Sequence, residues 1–338
     1  MAEKQLSAVE AELYDRQIRL WGIESQEKLR AANVLLINIR ALGSEIAKNI
    51  LLSGINSLTI LDDGTVTEEE QQKNFLLNKG SVGNPIADEV LIKAQALNPL
   101  VKIKVDKQPP SSKDSSYFKN FTIIVATCIK TDLLLKIDKV CRSSNVKLIY
   151  GDVFGTFGFS VADFLDHNYH EDQIKLAGKK RTHGEKDHEK TTIKVQGVIN
   201  YPELKKVLIL PNTKQSADSI KKSKRRNELF YIMLALMEFR NKNNRNPAIE
   251  SKEGDLKTLE TIKADIFQLY EVDELKTKLP ADIFELVFGE EVVPVCSVVG
   301  GVIAQEVIKA VSEKEVPVNN IFLFDPITFD GKEEAIGA

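Results

Sequence analysis

The segment after the first apolar run of the sequence lies where a nucleotide-binding loop would be expected. Such a loop reads G-x-G-x-x-G, because small glycines let the backbone approach a phosphate at a helix N-terminus. Here positions 38–43 read NIRALG, so only Gly43 is kept. Asp62, about twenty positions further on, could accept hydrogen bonds from ribose hydroxyls, although an acid there is also typical of a turn at a strand end. Because side chains at 38 and 40 would crowd the phosphate, the pattern predicts a degenerate site with Gly43 and Asp62 as the remaining candidates.

The cysteine and histidine residues form no pattern typical of disulfide or metal chemistry. Cys128, Cys141 and Cys296 are odd in number, widely spaced and without a C-x-x-C pair. This spacing predicts neither a disulfide framework nor a zinc site, and it favours a reducing, intracellular compartment. His167 and His170 are three positions apart without further ligands nearby in sequence. We therefore expect no bound metal in this chain.

Charge and hydropathy argue against two classes of partner. The chain has 338 residues, with 46 Lys and Arg against 49 Asp and Glu, a formal net charge of −3. A dedicated nucleic-acid binder would be clearly basic, and the longest apolar runs, such as Leu229–Met237, are shorter than the roughly 18–20 residues of a membrane span. We expect neither nucleic acid nor a membrane as a partner. The basic run Lys221–Arg226 is equally typical of a nuclear-import signal and of a solvated helix start, and we expect a nuclear, or nuclear and cytoplasmic, location.

Alternating strands and helices must position these loops, and the first half of the sequence shows that alternation. Amphipathic segments after Gly43, over 86–97 and around 134–140 predict helices. Short apolar runs predict buried strands at 33–39, 58–61, 101–105, 121–127 and 146–150. The pattern predicts an α/β protein with a Rossmann-like, doubly wound, mostly parallel sheet and an inserted α+β segment.

The pattern changes after residue 150, and we predict three regions. Residues 1–165 are the first part of the α/β domain, 166–290 are an inserted segment, and 291–338 return to the α/β domain. Inside the insert we expect an exposed, partly mobile linker over 171–191 and short strands over 193–210. Helices are expected over 216–240 and 254–288. In the last region a helix begins near Pro294, and Gly300-Gly301 within it predicts a close backbone contact. A final strand is expected over 321–324.

Several segments together resemble one protein family. Residues Tyr14–Gly22 (YDRQIRLWG) are similar, in sequence and in position, to the N-terminal signature of the ubiquitin-like-protein activating enzymes and their bacterial ThiF/MoeB-like relatives. Ala41–Asn49, Gly80–Gly83, Gly151–Gly155 and Pro294–Lys309 resemble further segments of that family. The length and the combination of motifs are most similar to the SUMO branch.

The resemblance implies a pseudo-adenylation domain that does not itself catalyse. Catalytic members carry the glycine loop, an N-x-N-R segment for phosphates and magnesium, a thioester-forming cysteine and zinc-binding C-x-x-C pairs. The corresponding N-x-N-R stretch here reads EQQKNF over 70–75, with Lys73 in the position of the arginine. The resemblance therefore implies an obligate, non-catalytic subunit of a heterodimer, without a thioester cysteine of its own. ATP and Mg²⁺ are expected on the large partner subunit, SUMO is the expected ubiquitin-like protein, and this chain is expected to bind no nucleotide tightly.

One residue is implied to take part in the reaction. In the family, the arginine of the Tyr-x-Arg-Gln-Ile motif, here Arg16, reaches across the dimer to the partner's ATP phosphates. Adenylation is the attack of a C-terminal carboxylate on the α-phosphate, and pyrophosphate leaves. A permanently charged guanidinium stabilises the negative charge on the leaving phosphates. Without the resemblance, Arg16 would be interpreted as a surface arginine that pairs with Asp15 or Glu12.

Three alternatives stand beside this interpretation. A regulatory subunit of an activating enzyme for another ubiquitin-like protein would share the same motifs. A self-sufficient ThiF/MoeB-like adenylating homodimer is disfavoured by the degenerate loop. A Rossmann-type redox enzyme is disfavoured by the Tyr14–Gly22 segment and by the two missing glycines.

Overall fold

The structure, a computed structural model, describes residues 6–176, 190–208, 226–272, 275, 282–288 and 291–337. The strands in this part of the chain are β1 (Asn33–Ile37), β2 (Ser57–Leu61), β3 (Lys102–Asp106), β4 (Ile123–Thr127), β5 (Lys147–Phe154), β6 (Phe157–Asp163), β7 (Asp166–Leu176), β8 (Lys190–Asn200), β9 (Ile321–Phe324) and β10 (Gly331–Glu334). The α-helices are α1 (Ala8–Leu13), α2 (Asp15–Trp21), α3 (Ile23–Ala31), α4 (Ala41–Leu52), α5 (Glu68–Lys73), α6 (Ile86–Leu97), α7 (Ser115–Phe118), α8 (Thr131–Ser144), α9 (Leu204–Val207), α10 (Leu229–Asn243), α11 (Lys252–Tyr270) and α12 (Val293–Ser312).

An eight-stranded mixed sheet forms the centre of the fold, in the order β10-β9-β6-β5-β4-β1-β2-β3. Strands β5, β4, β1, β2 and β3 are parallel neighbours, whereas β6, β9 and β10 add an antiparallel extension. The chain runs from β1 outward to β3 and then returns to β4 and β5, so the winding reverses between β1 and β4. The predicted Rossmann-like, mostly parallel α/β sheet is confirmed.

The two faces of the sheet are covered by different helices. Alternate residues of β1 point to opposite sides, since Leu35 and Ile37 belong to one apolar cluster and Val34 and Leu36 to the other. The first cluster contains side chains of α8, α10 and α11, and the second contains side chains of α3, α4, α6 and α12. Burial on both faces explains why these strands are continuously apolar in the sequence.

Within the region predicted as an insert, several elements differ from the prediction. Residues 171–176 and 190–191, predicted as linker, belong to the antiparallel hairpin of β7 and β8, while 177–189 lie outside the described residues. Strand β7 was missed because its sequence is polar and shows no clear apolar alternation. Of the stretch 193–210, predicted as short strands, residues 193–200 belong to β8 as predicted, whereas Leu204–Val207 form helix α9 and 209–210 lie outside the described residues.

The helix predicted from residue 216 is described from Leu229 onward, and it ends at Asn243 rather than at 240. Residues 209–225, where its predicted start falls, lie outside the described part of the chain. Asn227 precedes the helix and its Oδ1 accepts a hydrogen bond from the Leu229 amide, 2.9 Å away, which is the local signal for this helix start.

Helix α12 begins at Val293, with Pro294 in its first turn, and packs against α4. A Cβ atom on Gly300 would lie 2.9 Å from Glu45 Cβ, whereas a Cβ on Gly301 would meet nothing within 4 Å. The predicted close contact is therefore right for Gly300 and wrong for Gly301. By length and composition α12 could also cross a membrane, but 61% of its apolar window is buried inside the protein, which is typical of a core helix.

Candidate functional site

The winding of the sheet reverses at the carboxyl ends of β1 and β4, where open α/β sheets generally bind their ligands. In this chain the crevice between the two strands is bridged. Asn38, in a left-handed conformation with φ of 64°, donates a 2.7 Å hydrogen bond from Nδ2 to the carbonyl oxygen of Thr127. Thr127 Oγ1 donates in return to the carbonyl oxygen of Asn38, 3.1 Å away. The position of the first loop glycine is thus taken by a side chain that joins the strands.

Gly43, the glycine that the loop retains, lies in the first turn of α4. A Cβ atom at this position would lie 2.3 Å from the carbonyl oxygen of Asn38. Only glycine therefore lets the helix begin so close to the end of β1. This is the packing role of the third glycine in a nucleotide loop, and it needs no nucleotide.

Asp62 lies at the end of β2 and is 1% exposed. Its Oδ2 accepts a hydrogen bond from the Ile39 amide, and its Oδ1 accepts one from the Gly64 amide, both at 2.8 Å. The structure thus brings Asp62 and Gly43 to the same loop, as the fingerprint predicts. Here the carboxylate binds the backbone of its own chain.

An ion pair occupies the side of the loop where phosphates would be expected. Arg40 Nη1 lies 2.7 Å from Glu70 Oε1. Burial raises the pKa of the Glu70 carboxyl, although the charge of Arg40 acts in the opposite direction. Asn74 Nδ2 donates a 2.6 Å hydrogen bond to the Ile39 carbonyl oxygen. The segment that corresponds to the N-x-N-R motif is therefore bound to the degenerate loop itself.

A second ion pair, which the sequence did not predict, lies at the same edge of the sheet. Arg240 on α10 is 5% exposed and its Nη1 binds Asp152 Oδ2 on β5. Tyr150 Oη donates to the same carboxylate oxygen at 2.6 Å, and the ring of Phe154 lies 4.8 Å from the guanidinium. An arginine soon after the apolar run over 229–237 of the same helix was the available signal, because a cation that packs with such a run is buried only with a partner.

Two further titratable groups at this edge, Glu291 and Cys128, have pKa values shifted towards their neutral forms. Burial, together with the carboxylates of Asp152 and Glu70, raises the pKa of Glu291 to about 8. Burial also raises the pKa of the Cys128 thiol to about 11. Among the described residues at the carboxyl edge, Arg40 and Arg240 are therefore both paired with carboxylates of the same chain.

The histidines considered as metal ligands lie apart from this edge. His167 and His170 both belong to β7, and burial lowers the pKa of His167 to about 4. Within the described ranges, no group of three or more His, Cys, Asp or Glu side chains is arranged to hold a metal ion.

Arg16 lies on α2, away from the loop residues, and is exposed. Its neighbour Asp15 forms an ion pair with Arg19, with 3.0 Å between Nε and Oδ2. The alternative pairing of Arg16 with Asp15 does not form. One turn further along, Leu20 is 72% exposed and lines a groove of about 520 Å³ between α2, α4 and α12. Leu52 of α4, also exposed, lines the same groove.

The fold defines a Rossmann-like α/β protein in which Asn38 and Thr127 bridge the crevice between β1 and β4. The model of the ThiF family matches residues 14–337, and the chain belongs to this family. The resemblance stated from the motifs is thereby confirmed.

Full-length relatives extend this match. The chain is 36% identical over 350 residues to the SUMO-activating enzyme subunit 1 of Homo sapiens, covering 100% of this chain and 99% of that protein. It is 37% identical over 332 residues to the subunit of the same name from Mus musculus, with 96% and 93% covered. The Danio rerio subunit is 35% identical over 335 residues, with 96% and 94% covered.

Two solved structures share the fold at low sequence identity. PaaA, in its selenomethionine form, has a TM-score of 0.56 and 14% identity, covering 99% of this chain and 76% of that one. E. coli MccB with succinimide has a TM-score of 0.53 and 11% identity, covering 96% and 71%. These likenesses support the fold alone.

Proposed function

We propose that this chain is the non-catalytic subunit of a heterodimeric, ATP-dependent SUMO-activating enzyme. In this role it supports adenylation of the SUMO C-terminus and the later thioester transfer, both of which take place on the large subunit. The observation that carries the proposal is the full-length similarity to SUMO-activating enzyme subunit 1, combined with a nucleotide crevice that Asn38 bridges.

The cysteines of the chain support a thioester on the partner. All three lie in the described part of the chain, and Cys141 and Cys296 are buried. Burial raises the pKa of each of these two thiols well above its ordinary value and that of Cys128 to about 11. Since the thiolate is the nucleophile, none of them is prepared to attack an adenylate at neutral pH.

The charge arrangement supports ATP and Mg²⁺ on the large subunit. Arg40, in the degenerate loop, and Arg240, which contacts β5, are already bound by Glu70 and Asp152. A nucleotide at this edge would have to break one of these pairs and leave a carboxylate without its cation, which is costly in a buried setting.

Arg16 is the residue that we assign to the reaction. Arg16 is exposed on α2, one turn before Leu20, which lines the groove together with exposed Leu52. An exposed apolar groove of this kind is typical of a surface that another protein covers. A large subunit bound over the groove would bring its ATP within reach of Arg16, which then stabilises the charge of the leaving pyrophosphate in trans.

ATP–pyrophosphate exchange tests this proposal directly. The chain alone, with SUMO and ATP, should show no exchange, and addition of the large subunit of a SUMO-activating enzyme should restore it. Arg16→Ala should leave the heterodimer intact and slow exchange by about 100- to 1,000-fold. Arg19→Ala is the matched control, because Arg19 shares the helix but is held by Asp15.

Three outcomes of this assay would overturn the proposal. Exchange by the chain alone would indicate a self-sufficient homodimer. Exchange only with another ubiquitin-like protein would assign the chain to a different activating enzyme. An unchanged rate in the Arg16→Ala variant would remove the role in trans.

A nuclear location is part of the proposal, and it depends on the basic run Lys221–Arg226. Apart from Arg226, this run lies outside the described residues. Replacing its lysines and arginines with serine in a fluorescent fusion should shift the protein to the cytoplasm, whereas unchanged nuclear fluorescence would contradict the assignment.

A further inference from the structure

The helix that carries Arg16 is too short to hold its own orientation. Helix α2 has seven residues, and isolated helices of this length are unstable in water. The direction in which Arg16 points must therefore be set by contacts between α2 and the rest of the fold. Such contacts lie at both ends of the helix.

At the N-terminal end, Tyr14 joins α2 to the end of α4. The Tyr14 side chain is 3% exposed, and its ring lies against Gly54, where an added Cβ would be 2.5 Å from ring Cζ. Tyr14 Oη accepts a 2.9 Å hydrogen bond from Asn98 Nδ2, and the same amide group donates to the Leu51 carbonyl oxygen at 2.7 Å. The ring is thus held on one side by packing against Gly54. Its hydroxyl is held by the Asn98 amide, which donates both hydrogen bonds.

At the C-terminal end, Gln26 makes the equivalent connection. Trp21 Nε1 donates to Gln26 Oε1 at 3.0 Å, and Gln26 Nε2 donates to the Ser53 carbonyl oxygen at 2.9 Å. Between the two ends, Gln17 Nε2 donates to the Leu52 carbonyl oxygen at 3.3 Å. All three connections, including that of Tyr14, therefore end on residues 51–54, at the C-terminal end of α4.

The geometry points to Tyr14 and Gln26 as positioning residues for Arg16. They hold α2 at both ends against the end of α4, so that the Arg16 guanidinium is presented to the partner's ATP in one orientation. This inference rests on the proposed role of Arg16 in trans. Neither residue touches the reacting atoms, and both act through the helix. A displacement of about 1 Å in such a site can lower a rate about 100-fold, so loss of the connection should lower kcat.

A double-mutant cycle in the heterodimer separates positioning from general destabilisation. Tyr14→Leu, Arg16→Ala and the double variant are each assembled with the large subunit of a SUMO-activating enzyme, and assembly is confirmed by size-exclusion chromatography. The kcat for ATP–pyrophosphate exchange is then measured with saturating SUMO and ATP. Tyr14→Leu should lower kcat about tenfold or more when Arg16 is present, and should add no further loss to Arg16→Ala.

Further variants complete the test. Tyr14→Phe keeps the ring against Gly54 and should recover most of the lost kcat. Tyr201→Phe is the matched control, since it removes a 2.9 Å hydrogen bond from a buried tyrosine to the Val318 carbonyl oxygen outside α2, and it should leave kcat unchanged. Gln26→Met removes both hydrogen bonds at the other end with little change in volume and provides a second cycle if Tyr14→Leu does not fold.

The outcomes distinguish a failure of the positioning inference from a failure of the proposed role of Arg16. The inference would be overturned if Tyr14→Leu lowered kcat equally with and without Arg16, or did not lower it at all. In that case a large loss of kcat in Arg16→Ala would still uphold the proposed function. An unchanged rate in Arg16→Ala alone would overturn the proposed function, and this inference with it.

Discussion

Two buried carboxyl groups, Asp138 on α8 and Asp163 at the end of β6, lie in contact. Arg142 donates two hydrogen bonds to Asp163, at 2.6 and 3.0 Å, and Asp138 Oδ2 accepts one from the Leu204 amide at 3.0 Å. Burial, followed by the hydrogen bond and the charge of Asp163, raises the pKa of Asp138 to about 8. With this pKa, the Asp138 carboxyl is largely protonated at neutral pH. Asp138→Asn keeps the shape and a donor while removing the proton equilibrium.

The consequence for stability follows from the sign of the pKa shift. The pKa of an aspartate in the unfolded chain is about 3.9, so between this value and about 8 the folded protein binds more protons than the unfolded protein. Stability due to Asp138 is therefore fully present at low pH and is lost as pH rises through this window. The loss is at most about 1.4 kcal/mol per pH unit, or about 3 kcal/mol between about pH 5 and pH 7.

Urea unfolding across a pH series measures this effect. The free energy of unfolding of Asp138→Asn, relative to the unsubstituted chain, should rise with pH by up to about 1.4 kcal/mol per unit. Asp132→Asn is the matched control, because Asp132 lies on the same helix but is exposed, and its difference from the unsubstituted chain should stay flat. A difference for Asp138→Asn that does not change with pH would refute the raised pKa of Asp138.

Two further predictions concern packing and the buried ion pair. Gly300→Ala should lower the free energy of unfolding by about 1–3 kcal/mol, because its Cβ would lie 2.9 Å from Glu45 Cβ. Gly301→Ala, with open space around it, should instead raise that free energy by up to about 1 kcal/mol, and equal effects in urea unfolding would contradict the packing argument. Arg240→Met should cost about 3–5 kcal/mol, because Asp152 is left buried without its cation. Adding Asp152→Asn should recover part of that loss in thermal unfolding, and a double variant as unstable as the single one would show that the ion pair is not the cause.

The parallel part of the fold could be predicted, because strands buried on both faces appear as apolar runs between helices. Residues 58–61 and 86–97, for example, were assigned correctly to a strand and a helix. Strand β7 and its pairing with β8 could not be predicted, since the sequence of β7 is polar and has no regular apolar pattern. Its pairing, from Asp166 with Asn200 onward, depends on backbone hydrogen bonds between distant residues.

The sequence by itself determined the strand and helix order of the sheet's parallel half, the loss of the first two loop glycines and the family. These features depend on residue types at short, local spacing. Only the tertiary structure decided what occupies the nucleotide position. Arg240 pairs with Asp152 across 88 positions of the chain, and Asn38 bridges to Thr127 across 89. Such contacts form because α10 packs on the sheet and because β4 lies beside β1, and no local pattern encodes either arrangement.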